Sequence, residues 1–446
     1  MTDPDQLLGQ AEDVVRRATA QGAQAAEVFW QLGASLDLDL ENDEIASAGR
    51  GEHQGGGVRV VRDGRVGFAY FSDQGNAVSA VERALDLSRL APRKDFQMPG
   101  PDRLPDVGSR WDDELAALEV EHATLWARDL LQGSKETAPD GHVAGGGVGI
   151  GWDLVAIANS EGVSCADRRT QVEAGVNIVL ADGERSLNAW DSDTVHRGRL
   201  DAHGVGVRVA EEALSLRGPR EAVSGRCDLL FWPDAVAELV SGLVVSAVNG
   251  DDALRGKTVW ADSLGSEVAD ARLGLYDDPT LPGAIGGTPF DDEGLPTRRL
   301  PIIEGGVLQT FLFDCRDAQA HGRSSTHSAV RGNSHLPPDT GTHHLVLEGR
   351  GARPDDVLVS GIDAGYLVGS VLGAHTANAT TGDFSVTAPN VWRIEGGQVV
   401  GACSEVAIGG NLPALLRHLD GVGDEPKRMD GARIPSLRFR DVQVSV

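Results

Sequence analysis

Between Gly373 and Ser385 the chain reads Gly-Ala-His-Thr-Ala-Asn-Ala-Thr-Thr-Gly-Asp-Phe-Ser, a run dense in short polar groups between two strand-like stretches. Hydroxyls, amides and a carboxylate at this density can hydrogen-bond an extended peptide backbone. They can equally satisfy their own turn, and the residues alone favour that reading. Asp291-Asp292-Glu293-Gly294 poses the same choice. Three acids can hold a cation, but such a run usually forms a solvated turn.

Metal chemistry would draw on the 12 histidines, since zinc recruits imidazoles at helical spacing together with a carboxylate or thiolate. No His-Glu-x-x-His occurs. His343 and His344 are adjacent in an apparent strand, 342–347, which points them to opposite faces. His321 and His327 fall in a polar, loop-like stretch, and for every histidine a surface or hydrogen-bonded role is favoured. Cys165, Cys227, Cys315 and Cys403 lie far apart without a Cys-x-x-Cys pair, so they read as buried reduced thiols.

Nucleotide and serine-hydrolase chemistry find no support. The run Ala144–Gly151 is rich in glycine but lacks Gly-x-Gly-x-x-Gly spacing and leads into a strand-like segment, where a dinucleotide site needs a helix. No phosphate loop, Gly-x-Ser-x-Gly elbow or Ser-x-x-Lys occurs.

The elements that must position any site follow from periodicity. Apolar residues recur at helical spacing from Pro4 to Ala18, with Asp3 as cap, and again over 76–90 and about 115–131. A loop is expected over 93–112. Leu36, Leu38 and Leu40 alternate with acids as in a half-buried strand that turns at Glu41-Asn42-Asp43. Asp63-Gly64 predicts a tight hairpin between 58–61 and 66–70. Strands over 154–158 and 172–180 precede a helix through Val205, Val209 and Leu214. Beyond a helix over 234–248 the signals are strands and turns, including Glu304–Gly306 and Glu395–Gly397. The expected fold is α+β and two-lobed. Residues 1–220 would form an antiparallel sheet with helices, and 221–446 a mostly antiparallel, barrel-like β domain.

The 446 residues carry 40 Lys+Arg against 67 Asp+Glu, a formal charge of −27, which argues against a nucleic-acid partner. With 41% hydrophobic and 24% charged residues the chain can bury more than one core. No apolar stretch approaches the roughly 20 residues of a membrane span. The acidic opening Met-Thr-Asp-Pro-Asp does not resemble a secretory signal, so a cytoplasmic protein is expected.

Three stretches resemble the TldD/PmbA family, also called TldE in one branch. They are Gly57–Tyr70, the Phe290–Gly294 run with its following Glu304–Leu308 hairpin, and Thr381-Gly382-Asp383-Phe384-Ser385. The resemblance spans nearly the whole chain. It implies a cytoplasmic two-subunit zinc metallopeptidase in which the TldD branch carries His-Glu-x-x-x-His on a helix, two histidines holding zinc and the glutamate activating water. Counting back from Asn249-Gly250-Asp251 puts Ser241, Gly242 and Ser246 at those positions here. Two hydroxyls and a glycine cannot replace two imidazoles and a base. The cysteine ligand of that branch has no counterpart either, since no cysteine follows Cys403.

By this resemblance the chain is the non-catalytic PmbA/TldE-type subunit, with no metal or cofactor of its own and zinc in a TldD-like partner. His375, Thr376, Asn378, Thr381, Asp383 and Ser385 are the candidate contacts to unfolded or short peptides. The assembly would be a homo- or heterodimer. Two other readings stay open: a zinc-free hydrolase of small peptides or natural-product intermediates using Cys315 or His375, and a dimeric binding protein without turnover.

Overall fold

A computed structural model describes residues 3–94, 96–117 and 119–446. Met1 and Thr2 of the acidic opening, Asp95 of the expected loop and Leu118 of the expected helix lie outside them.

Helix α1 (Pro4–Ala20) starts where Asp3 accepts the backbone N–H of Asp5, and it buries Leu7, Ala11, Val14, Val15 and Ala18. Next come β1 (Ala25–Glu41), β2 (Glu44–Arg62), β3 (Arg65–Phe71) and α2 (Gln74–Ser88). Asn42 and Asp43 turn β1 into β2, and Asp63-Gly64 turns β2 into β3, all four at positive φ as tight hairpins demand. A short α3 (Asp113–Ala116) and α4 (Val120–Thr137) replace the single expected helix. Strands β4 (His142–Asn159), β5 (Ser164–Asp182) and β6 (Arg185–Val195) complete a six-stranded antiparallel sheet in the order β3-β2-β1-β4-β5-β6. Helix α5 (Ala202–Ser215) packs on it beside α4.

The glycine-rich run lies inside β4, paired to β1 on one side and β5 on the other. At Gly147 a side chain would strike the Leu38 carbonyl. The run is therefore structural. Glycine hides the strand's period, which is why β4 is far longer than its apolar end suggests.

The second half opens with β7 (Gly225–Phe231) and α6 (Pro233–Leu239), which continues as a π turn over Val240–Val245. Its sheets are antiparallel except at two points. Ala364–Val368 runs parallel to β7, and Leu345–Gly349 runs parallel to Ala432–Ile434. The Glu-Gly-Gly turns form as expected, with Gly305, Gly306, Gly396 and Gly397 at positive φ. One core lies under α1 and α2, a second in the C-terminal half. A third joins α4 and α5 to Leu230, Leu367, Trp392 and Ile394, so apolar packing crosses residue 220. Among the described residues no helix is long and apolar enough to cross a membrane.

Candidate functional site

Helix α6 is seated by Val236, Leu239, Val240, Leu243 and Val244, all buried against the C-terminal sheets. Ser241 and Ser246 stand on its exposed side. Five residues apart, they would lie about 140° apart on a regular α-helix, but the i→i+5 π turn brings them toward one face. Neither hydroxyl reaches outward for a partner: Ser241 donates to the Glu238 carbonyl at 3.3 Å and Ser246 to the Gly242 carbonyl at 3.2 Å.

Between them, Gly242 lies against the backbone of Ala374. A Cβ at 242 would sit 2.8 Å from the Ala374 carbonyl carbon and 2.9 Å from its oxygen. The place where a helix-borne base would need to stand is thus filled by the chain. These residues do not fit a zinc ion. Among the described residues the one group of three or more metal-competent side chains is Asp314, Asp317 and Asp339, and the Arg316 guanidinium reaches all three at 3.0–3.5 Å.

Ala374 begins the turn Ala374–Thr376 of the polar segment. His375, Thr376, Asn378, Thr381, Asp383 and Ser385 are all exposed and share one loop and the strand Asp383–Ala388, at the margin of its sheet. Their polar groups largely serve one another. Thr376 donates to the Gly373 carbonyl at 2.8 Å, and Asn378 Oδ1 accepts the N–H groups of Thr380 and Thr381. Thr381 Oγ1 accepts the Asp383 N–H, while the Asp383 carboxylate accepts the Asn411 amide, which holds it below the usual carboxylate range. Part of the strand's open edge is taken as well: Leu372 and Thr387 exchange two backbone hydrogen bonds, and Asn378 donates to the Asp383 carbonyl.

Asp291, Asp292 and Glu293 correct the solvated-turn expectation, for Asp291 and Glu293 are buried and Asp292 is half-buried. Arg59 of β2 bonds Glu27 of β1 at 2.6 Å and Glu293 at 2.8 Å. Arg331 bonds Glu27 at 2.8 Å, and its backbone N–H donates to Asp292. Asp291 accepts the N–H groups of Glu293 and Leu295, forming the turn itself. Burial pushes Asp292 up, whereas Arg59 and the Cys315 N–H outweigh burial and hold Glu293 low. Glu27, Arg59 and Arg331, from three separate segments, thus join Glu293 in locking the first sheet onto this turn. Residue spacing could not reveal it.

The surroundings of Cys315 weigh against a cysteine nucleophile. Cys315 is buried, its backbone N–H donates to Glu293 at 2.7 Å, and burial together with that carboxylate pushes its thiol up, away from the nucleophilic thiolate. His343 and His344 precede the strand Leu345–Gly349 and both donate backbone N–H groups to Asp277.

Comparison with known proteins places this architecture. Models described as PmbA/TldA metallopeptidase domain 1, central domain and C-terminal domain match residues 26–88, 113–217 and 224–446 in turn. The chain belongs to the PmbA/TldD metallopeptidase family. The first two matched stretches share one sheet, since β1 pairs with β4 from Glu27 to Leu40. A metalloprotease of Archaeoglobus fulgidus is 33% identical over 421 residues, covering 88% of this chain and 91% of its own. Metalloprotease PmbA of Escherichia coli O157:H7 is 24% identical, covering 98% and 96%. The crystal structure of TldE from Thermococcus kodakarensis superposes with a TM-score of 0.91 at 26% identity, covering 98% and 100%. Within the PmbA/TldD family the chain is thus consistent with the TldE-like branch.

Proposed function

We propose that this chain is the non-catalytic, TldE-type subunit of a cytoplasmic zinc metallopeptidase acting on unfolded or short peptides. The zinc belongs to a TldD-like partner. The observation that carries this reading is Gly242 pressed on Ala374 between two serines that bond their own helix. A fold kept intact around a position that admits no base suits a companion subunit better than an enzyme.

In this reading the partner supplies the activated water, and the present chain helps to shape the chamber that presents the peptide in extended form. His375, Thr376, Asn378, Thr381, Asp383 and Ser385 are its proposed peptide contacts. The burial of Cys315 weighs against a zinc-free hydrolase.

Metal analysis of the purified chain, together with peptide hydrolysis before and after adding a TldD-type chain, tests the proposal. The expected result is less than stoichiometric zinc, no hydrolysis alone and hydrolysis on mixing. Turnover by the isolated, metal-free chain overturns it.

A further inference from the structure

Where β6, α5 and the start of α6 converge, a groove of about 1000 Å³ runs into a hollow of about 610 Å³, the two sharing Trp190, Glu212, Trp232 and Asp234. Glu238 of α6 lines the groove, as does Leu372, which exchanges backbone hydrogen bonds with Thr387 on the strand of the polar segment.

Two indoles, Trp190 and Trp232, line it. Trp190 is 55% exposed and lies over Gly175, where a Cβ would meet the indole at 3.0 Å. Trp232 packs at 4.9 Å on Trp392, whose indole N–H donates to Ser215. Rigid, solvent-facing indoles are good partners for a cation and its methylenes.

Its charges are unequally served. Lys427 bonds Asp191 at 2.6 Å and Asp234 at 2.9 Å, and Arg208 lies 3.5 Å from Asp191. Glu212 instead takes one neutral hydrogen bond, from the Asn390 amide at 2.9 Å. Burial, then Asp234 and Asp191, push its carboxyl up to about 7 against the opposing Asn390 bond and Lys427. Five acids, Asp191, Asp193, Glu211, Glu212 and Asp234, line the hollow against three cations, Arg208, Lys427 and Arg428.

We propose that this groove binds a primary alkylammonium group, from a lysine side chain or a free peptide amino terminus, on Glu212, with the lysine methylenes or the terminal residue's own side chain against Trp190 and Trp232. The assignment rests on the peptidase-subunit reading for what presents the group. It makes the chain a selector of amine-bearing peptides, and the formal charge of −27 aids their capture.

Titration calorimetry on the full chain alone tests this with three capped tripeptides. These are acetyl-Ala-Lys-Ala-amide, Ala-norleucine-Ala-amide with a free amino terminus, and acetyl-Ala-norleucine-Ala-amide, which has no ammonium. At least one of the first two is expected to bind tenfold or more tightly than the third, and which one identifies the source. Glu212→Gln, which keeps an acceptor for Asn390, should erase that preference, and Trp190→Ala should weaken binding several-fold. Equal or undetectable binding of all three, or a preference that survives Glu212→Gln, overturns the assignment. Hydrolysis on mixing with a TldD-type chain is read separately. If mixing produces hydrolysis but no ammonium binds, only the groove fails; if ammonium binds but the mixture is inert, only the subunit reading fails.

Discussion

Arg59 on β2 and Glu293 in the 291–294 turn, 234 residues apart in sequence, meet at 2.8 Å with both side chains shut off from solvent. The pair welds the first sheet to the C-terminal half. A buried ion pair need not add net stability, because desolvating two charges offsets most of their attraction. Breaking one is another matter.

Glu293→Gln should therefore destabilise the protein by about 3–5 kcal/mol, since it leaves Arg59 with a single carboxylate in a dry site. A urea titration reads this as a lowered midpoint with an unchanged slope. A midpoint within error of wild type would show that water or a rearranged partner replaces the pair.

Stability should also depend on pH through His343. Burial opposes its charge, but Asp277 at 3.3 Å, with Asp291 and Asp292 nearby, outweighs burial and raises it to about 9. The folded state then holds the proton more tightly than the unfolded chain, whose histidines titrate near 6.5. That contribution is fully present below about pH 6.5 and is lost as pH rises through about 9, amounting to about 3 kcal/mol. Unfolding measured from pH 6.5 to 9 should show the decline, and His343→Gln should flatten it.

Gly242→Ala sets two effects against each other. Replacing a helical glycine gains about 1 kcal/mol of propensity. The new Cβ would stand 2.8–3.0 Å from the Ala374 backbone and side chain, and such overpacking costs about 1–3 kcal/mol. The net expectation is a lower melting temperature. A higher one would mean that the 374–376 turn yields readily, which would remove the steric case against a base at this position.

Thiol chemistry offers a fourth check. Cys315 and Cys165 are buried with their thiols pushed up by burial, while Cys227 is half-buried and pushed up to about 11. A disulfide reagent at pH 8 should titrate Cys227 slowly and Cys315 only after unfolding. Rapid modification of Cys315 in the folded chain would reopen a cysteine-based mechanism, and Cys315→Ala should leave peptide hydrolysis by the mixed subunits unchanged.

Local order was legible in the residues. Apolar spacing marked α1, α2 and α5, and Asp63-Gly64 and the two Glu-Gly-Gly turns marked their hairpins. All of these depend on neighbours within a few residues, where side-chain period and backbone φ act directly. The full length of β4 was hidden, because its glycines carry no alternating pattern and are held by β1 and β5 instead.

Tertiary structure alone decided the rest. It buried an acidic turn that local composition places in water, because Arg59 and Arg331 arrive from distant segments to compensate the charge. It laid the Ala374 backbone against Gly242, and it set Glu212, hydrogen-bonded to the neutral Asn390 amide, in a groove lined by two indoles from different elements. Polarity and periodicity are properties of a segment and its neighbours, whereas the cost of a buried charge depends on which remote group meets it across the fold.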